Sequence, residues 1–257
     1  MCLILFSYRQ HPRYPLLLAA NRDEFHARPT QSARFWPERP KLLAGRDLQA
    51  GGTWMGITRN GRFAAVTNFR DPERTRAAPR SRGDLTLGFL EGDESPASYL
   101  HRLSASAGEY AGFNLLLGDR AGLWYYSNSA PTPSAPQQLQ PGTYGLSNAL
   151  LDTPWPKVQR GKQALRSLTG GAVDHSQLAE VVASGELAEQ DELAEVGLHG
   201  EMDQMLSAQF IVNEAYGTRA TTTLWQDQEG MTSWRELSFD AGGNRVDRVT
   251  EQFLLER

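Results

Sequence analysis

Apolar positions are bunched at the start of the chain. Residues 2–8 form a short, nearly unbroken apolar run, Arg9-Gln10-His11-Pro12-Arg13 is a polar turn, and residues 14–20 form a second apolar run. Runs of this length without alternation predict two strands buried on both faces and joined as a central N-terminal hairpin. Residues 26–50 hold Pro29, Pro37, Pro40 and Gly45 and read as mostly loop. Residues 53–58 and 62–68 flank Asn60-Gly61, the dipeptide that predicts a hairpin with a type I′ turn. Residues 113–117 and 123–127 form a second hairpin around 118–122, and 143–148 is another short strand. Near the end, 209–216, 219–226 and 232–239 are β-prone, punctuated by Gly217 and by residues 227–230.

Helical patterns lie between these groups. Ser95-Pro96 predicts a helix through Ala107, with Ser95 as its N-cap. Residues 155–168 carry a periodic apolar face (Val158, Leu165, Leu168), and 175–198 is a broken acidic helical stretch. Strand-rich blocks with helices inserted between hairpins predict an α+β fold rather than a doubly wound parallel sheet. No fixed repeat and no linker breaks the pattern; Ser129 to Pro141, with three prolines, reads as a loop between strands. One domain over residues 1–257 is expected.

Composition narrows the classes. Of 257 residues, 40% are hydrophobic and 22% charged, which suits a chain with an ordinary buried core. The purely apolar runs, Met1 to Phe6 and Leu16 to Ala20 among them, are far below the roughly 20 residues of a membrane span. With Cys2 as the lone cysteine, neither an internal disulfide nor a cysteine-based zinc cluster can form. The net charge of −4 argues against general nucleic-acid binding. Charge is nonetheless uneven: residues 1–82 carry 15 basic and 6 acidic residues, and the remainder 11 and 24. Only three of the basic residues are lysines. The planar fork of arginine suits carboxylates and phosphates, so the first third could face an anionic ligand; a preference for arginine codons explains it equally. The N-terminal residues lack the features of a secretory signal, and a cytoplasmic protein is expected.

Three groups of residues could carry chemistry. Removal of Met1 would leave the Cys2 thiol beside its own α-amine, whose ordinary pKa of about 7.7–8.0 suits a base for the thiol. The alternative is a small buried hydrophobe heading a strand. Asn21-Arg22-Asp23-Glu24 follows the second apolar run, and antiparallel pairing would set it beside Cys2, where Arg22 or Asp23 could orient the amine and thiol. Otherwise it is a solvated turn. Asn68 and Asn148 each end a strand, where amides can donate to an oxyanion or simply cap a turn. Arg219 opens a Thr-rich strand and could hold a carboxylate or phosphate, or pair with a surface acid. His175 and His199 show no ligand spacing, His26 could be a haem or metal ligand or a hydrogen-bonded loop residue, and P-loop, GxGxxG, GxSxG and HExxH patterns are absent. No metal is expected and no cofactor is required.

Several segments together resemble the NRDE family, also called transport and Golgi organisation protein 2: Met1-Cys2, Asn21-Arg22-Asp23-Glu24-Phe25, Ala44-Gly45-Arg46-Asp47-Leu48, Gly51-Gly52-Thr53-Trp54, Thr67-Asn68, Gly112-Phe113-Asn114, Tyr144 to Asn148 and Tyr216-Gly217-Thr218-Arg219. That family resembles N-terminal-nucleophile hydrolases of the penicillin V acylase and bile salt hydrolase type. The resemblance implies a four-layer αββα sandwich of two antiparallel sheets. It further implies Cys2 as nucleophile, with Asn68, Asn148 and Arg219 matching acylase site residues. Where those acylases read Arg-Asn-x-Asp, this chain reads Asn21-Arg22-Asp23-Glu24, so either Asp23 or Glu24 could stand for the amine-orienting aspartate. Asn21, Glu24 and Arg46 are expected near the substrate.

The resemblance thus implies a cysteine hydrolase of an amide C–N or thioester bond. The family's link to haem mobilisation and to lipid or acyl-CoA homeostasis implies an alternative, a non-catalytic carrier of haem or an amphipathic anion. A scaffold with a vestigial site is a third reading. The expected partner is a small molecule (amide, thioester or haem), with neither nucleic acid nor an integral membrane segment.

Overall fold

The computed structural model describes residues 2–70, 78–130, 135–168 and 170–256. Met1, whose removal the amine-base reading requires, lies outside them, as do residues 131–134 of the proline-rich loop.

The strands are β1 (Cys2–Tyr8), β2 (Leu16–Phe25), β3 (Thr30–Trp36), β4 (Arg39–Asp47), β5 (Met55–Thr58), β6 (Phe63–Asn68), β7 (Phe113–Gly118), β8 (Leu123–Ser127), β9 (Gln137–Gln138), β10 (Gly142–Leu146), β11 (Tyr216–Gln226), β12 (Met231–Phe239) and β13 (Arg245–Leu254). The helices are α1 (Gly83–Glu91), α2 (Pro96–Ser104), α3 (Pro156–Ser167), α4 (His175–Glu180), α5 (Gln190–Glu195) and α6 (Glu201–Met205). They form two antiparallel sheets, ordered β10-β1-β2-β11-β12-β13 and β3-β4-β5-β6-β7-β8-β9. The class is α+β, as the pattern predicts. Two compact units follow, one around each sheet.

In the first unit, β1 and β2 are interior strands, because both faces of their apolar runs need cover. α3 lies against β1 and β10, and α4 against β11 and β2. Gly161 lets α3 approach: a Cβ there would stand 2.1 Å from Leu5 Cδ1 and 2.8 Å from Gln209 Nε2. Asp174 caps α4, and the ring of the next residue, His175, ties it down, with Nδ1 2.7 Å from Thr223 Oγ1 and Nε2 2.8 Å from Ser233 Oγ. In the second unit, α1 covers β5, β6 and β7, and α2 covers β8. Val66, Phe113, Leu115 and Leu117 pack there with Leu85, Phe89 and Leu100.

Four expectations need correction. Residues 26–50 are not mostly loop, because β3 and β4 pair within them. Pro29 precedes β3, Pro37 lies between the strands, and Pro40 falls at the register shift between the Trp36–Arg39 and Phe35–Leu43 pairs, where no ladder bond needs its nitrogen. The Asn60-Gly61 hairpin forms, but among its turn residues only Gly61 takes a positive φ, 88°, so the turn is not type I′. Residues 209–215 form no strand, and Gly217 punctuates nothing, since β11 runs unbroken from Tyr216. β13, α1 and α6 were not foreseen: Gly83 and Gly88 interrupt the pattern of α1, α6 is barely a turn long, and β13 alternates weakly. Ser95 does cap α2 by accepting from the Ser98 N–H.

Burial, with Arg235 nearby, pushes the His175 imidazole down from 6.5 to about 4. The unfolded chain therefore binds this proton first on acidification. The stabilisation is complete above pH 6.5 and is lost as pH falls to about 4, at a cost of about 3 kcal/mol. Denaturant titrations across that window should show His175→Gln with a flatter acid dependence than the parent chain.

Candidate functional site in the first sheet

The site is built by two strand ends that meet only through the fold. Cys2 pairs with Arg22 across β1 and β2, so their side chains share one face of the sheet. Asn21 and Asp23 point to the opposite face by alternation. There the Asn21 amide donates to the carbonyls of Val182 and Gln209, both at 2.8 Å, and its Oδ1 accepts from Thr221 Oγ1 at 2.6 Å. Asn21, expected to touch substrate, is fully buried and engaged in fastening loop segments to the sheet.

Every residue of Tyr216-Gly217-Thr218-Arg219 engages the Asn21-to-Phe25 strand or the turn after it. The Tyr216 hydroxyl donates to the Asp23 carbonyl at 3.0 Å. Gly217 pairs with Glu24, and a Cβ there would stand 2.7 Å from the Ile211 carbonyl oxygen and 3.2 Å from His26 Nε2. Thr218 Oγ1 accepts the Ile211 N–H at 2.9 Å, which leaves its proton to donate to Asp23 Oδ1 at 2.8 Å. Arg219 falls at the register shift between Thr218 and Ala220, and its Nη1 donates to the carbonyls of Phe25 and His26, both at 3.1 Å.

Charge at this end of the sheet is dense and partly desolvated. Arg22 and Glu24 lie 3.7 Å apart. Burial pushes the Arg219 guanidinium down, as does the like charge of Arg22, and Glu24 opposes both. Asp23 is 3% exposed, and burial raises its carboxyl above the usual range, against the pull of Lys157, the Thr218 hydrogen bond and Arg22. The half-buried Cys2 thiol is raised, first by burial and then by the charge of Asp23; Arg22 and a hydrogen bond from the Asp23 backbone lower it. Ser147 Oγ donates to the Cys2 carbonyl at 2.9 Å and pins the end of β1. The arrangement holds a protonated thiol beside a cation, with a buried carboxyl on the next residue.

The remaining predicted residues belong to the second unit. Asn148 is buried and donates through Nδ2 to the Asn68 carbonyl at 2.7 Å, and its own carbonyl accepts from the Arg70 N–H. The Asn68 side chain is exposed and shares the face of Phe113, its partner in β7. Arg46 bonds Glu38 at 2.5 Å and lies 4.4 Å over the Trp36 ring. A buried group not foreseen surrounds Asn114, whose Nδ2 donates to Thr67 Oγ1 and the Ala149 carbonyl while Oδ1 accepts from the Tyr125 hydroxyl. Gly112-Phe113-Asn114 was its only signal in the sequence. Thr218 and Lys157 were also missed; the Thr-rich strand hinted at the first, and nothing local marked the second.

Among the described residues no cluster of three or more His, Cys, Asp or Glu could hold a metal, and no helix is long and apolar enough to cross a membrane. His26, once weighed as a ligand, instead approaches the Asn213 carbonyl at 3.0 Å.

The family model described as Transport and Golgi organisation 2 matches residues 1–241. Transport and Golgi organization protein 2 homologs from Bos taurus and Homo sapiens are each 37% identical, and each comparison covers all of both chains. The Drosophila melanogaster protein is 32% identical over 187 residues, 65% of each chain. Among solved structures, a Caenorhabditis elegans ortholog of N-acylethanolamine-hydrolyzing acid amidase aligns with TM-score 0.48 and 9% identity, covering 71% of this chain and 86% of its own. A conjugated bile acid hydrolase from Clostridium perfringens aligns with TM-score 0.44 and 10% identity, over 98% and 97%.

Iodoacetamide alkylation of Cys2 should be slow at neutral pH and should climb beyond the usual thiol range. Because Asp23 raises the thiol and Arg22 lowers it, Asp23→Asn should speed alkylation at fixed pH and Arg22→Gln should slow it. Opposite signs would mean that neither charge reaches the sulfur. Gly217→Ala should destabilise the fold by roughly 1–3 kcal/mol in denaturant titration, since its nearest obstacle is backbone.

Proposed function

This chain belongs to the Transport and Golgi organisation 2 family, and from that premise we propose that it is an N-terminal cysteine hydrolase of amide or thioester bonds, with Cys2 as nucleophile. The observation that supports the reading best is the setting of the thiol. It stands at the head of β1, opposite Arg22, and accepts a hydrogen bond from the Asp23 backbone. A thiol raised by burial is protonated at neutral pH, so attack needs a base at hand. With Met1 removed, the α-amine of Cys2 is that base.

Sγ attacks the carbonyl carbon and forms a C–S bond. The thiol proton passes to the amine and then to the departing nitrogen or sulfur as the C–N or C–S bond of the substrate breaks. Water, deprotonated in turn by the amine, attacks the acyl-Cys2 carbonyl. The C–S bond breaks, the proton returns to the thiolate, and a carboxylic acid leaves. Of the two carboxyls that could orient the amine, Asp23 suits the role better: it is buried and fixed by Thr218, whereas Glu24 is half-buried and lies within ion-pair reach of Arg22. Arg22 and Arg219, in the same unit as Cys2, would hold an anionic part of the substrate.

The carrier alternative, with haem or an amphipathic anion as ligand, draws less support. Its Arg-rich first third is largely engaged internally: Arg28 with Asp47, Arg39 with Glu91, Arg46 with Glu38, and Arg62 on the carbonyls of Phe89 and Glu94.

Short-chain acyl p-nitroanilides and simple acyl thioesters are the probes. Turnover should fall by at least about 10²-fold in Cys2→Ser, and an acyl adduct on Cys2 should be visible by intact mass in the parent chain. The same mass spectrum should show Met1 absent. An unchanged rate in Cys2→Ser, or retained Met1 in an active preparation, would end this reading. Haem titration followed by absorbance, on the parent and on Cys2→Ala, addresses the carrier.

A further inference from the structure

Lys157 is 2% exposed and stands in the first turn of α3. Two penalties fall on it there. A buried ammonium loses its water, and a cation at a helix N-terminus faces the positive end of the helix dipole. A lysine kept in such a place needs an anion or aligned carbonyls.

Both are at hand. Its Nζ donates to the Leu206 carbonyl at 2.7 Å. Leu206 begins an irregular segment held to its surroundings at successive points. The Gln209 side chain donates back to the Lys157 carbonyl at 3.1 Å, the Gln209 carbonyl takes the Asn21 amide, and Ile211 binds Thr218 through both its N–H and its C=O. Thr218 then donates to Asp23 Oδ1. Lys157 therefore reaches Asp23 mechanically, through this strap. It also reaches it by charge, since Lys157 opposes the rise that burial imposes on the Asp23 carboxyl. Among the described residues, the other charged or titratable groups bearing on Asp23 or on the thiol beside it are Arg22 and Cys2.

We propose that Lys157 is a positioning residue: the buried cation that anchors the strap through which Thr218 holds Asp23 in place beneath the head of β1. The inference deepens the hydrolase reading by adding a member to its site, and it rests on that reading only for its catalytic meaning.

The test is a double-mutant cycle on the full chain at pH 7.5, with K157M, K157R, D23N and D23N/K157M. Unfolding equilibria and Cys2 alkylation rates are the two readouts. K157M should shift the unfolding constant by at least about tenfold with Asp23 present and by less than about threefold on the D23N background. K157R, which keeps the charge, should stay closer to the parent than K157M. Alkylation in K157M should speed up toward the D23N rate, by about threefold or more, because an Asp23 that has lost its counter-ion stops raising the thiol. If K157M does not fold but D23N/K157M does, the coupling is supported. Equal losses on both backgrounds, or failure of both variants to fold, would overturn the proposal, because the lysine would then be needed with or without the carboxylate. None of these readouts uses turnover, so an inert Cys2 would leave the coupling intact, and absent coupling would leave the Cys2 tests standing.

Discussion

The hydrogen bond from Thr218 to Asp23 is the constraint on which the first unit's site depends. It joins β2 to β11 at the point where their register shifts, and it orients the one carboxyl that is both buried and adjacent to Arg22. Buried carboxyls are costly unless their oxygens are met by donors. Thr218 serves in both senses: its oxygen accepts the Ile211 N–H while its proton goes to Asp23 Oδ1. Moving Thr218 by one position would turn its side chain to the other face of the sheet.

Around that bond the polar groups divide by face. On the helix-covered side, the Asn21, Lys157 and Gln209 side chains all donate to backbone carbonyls, and Asp23 accepts from Thr218. On the other side, Cys2 and Arg22 stand together, with Glu24 beside the guanidinium. The first face is taken up with fastening backbone, and the second carries the thiol and the guanidinium. The strand Asn21-Arg22-Asp23-Glu24 contributes alternately to both, which is why four consecutive polar residues follow so apolar a run.

Much of this was legible from local pattern. The N-terminal hairpin, the pairing of Cys2 with the Asn21-to-Glu24 stretch, the Ser95 cap and the α+β class all follow from runs, turns and caps within a few residues of one another. What stayed hidden depends on distant chain. The β3–β4 hairpin was masked by prolines that happen to sit at strand margins. Residues 209–215 carry β-prone Phe210, Ile211 and Val212, yet their backbone groups are taken by Ser184 and Thr218 rather than by a ladder. Lys157 looked like an ordinary polar position of an amphipathic helix, because the carboxyl that compensates it lies in another strand. The roles of Asn68 and Asn148 were suggested by their places at strand ends and by the resemblance; the structure adds that the Asn148 amide grips the Asn68 backbone.

The strand order of the first sheet has a consequence for biosynthesis. β2 ends at Phe25, but the neighbour that covers it, the strand from Tyr216 to Gln226, begins 191 residues later in the chain (216 − 25). At ordinary ribosomal speeds of about 5–20 residues per second, the greasy opening hairpin waits on the order of ten seconds or more for that neighbour. Throughout that interval its open hydrogen-bonding edge invites strands from other nascent chains. The sulfur therefore acquires its finished surroundings only once that distant strand has emerged.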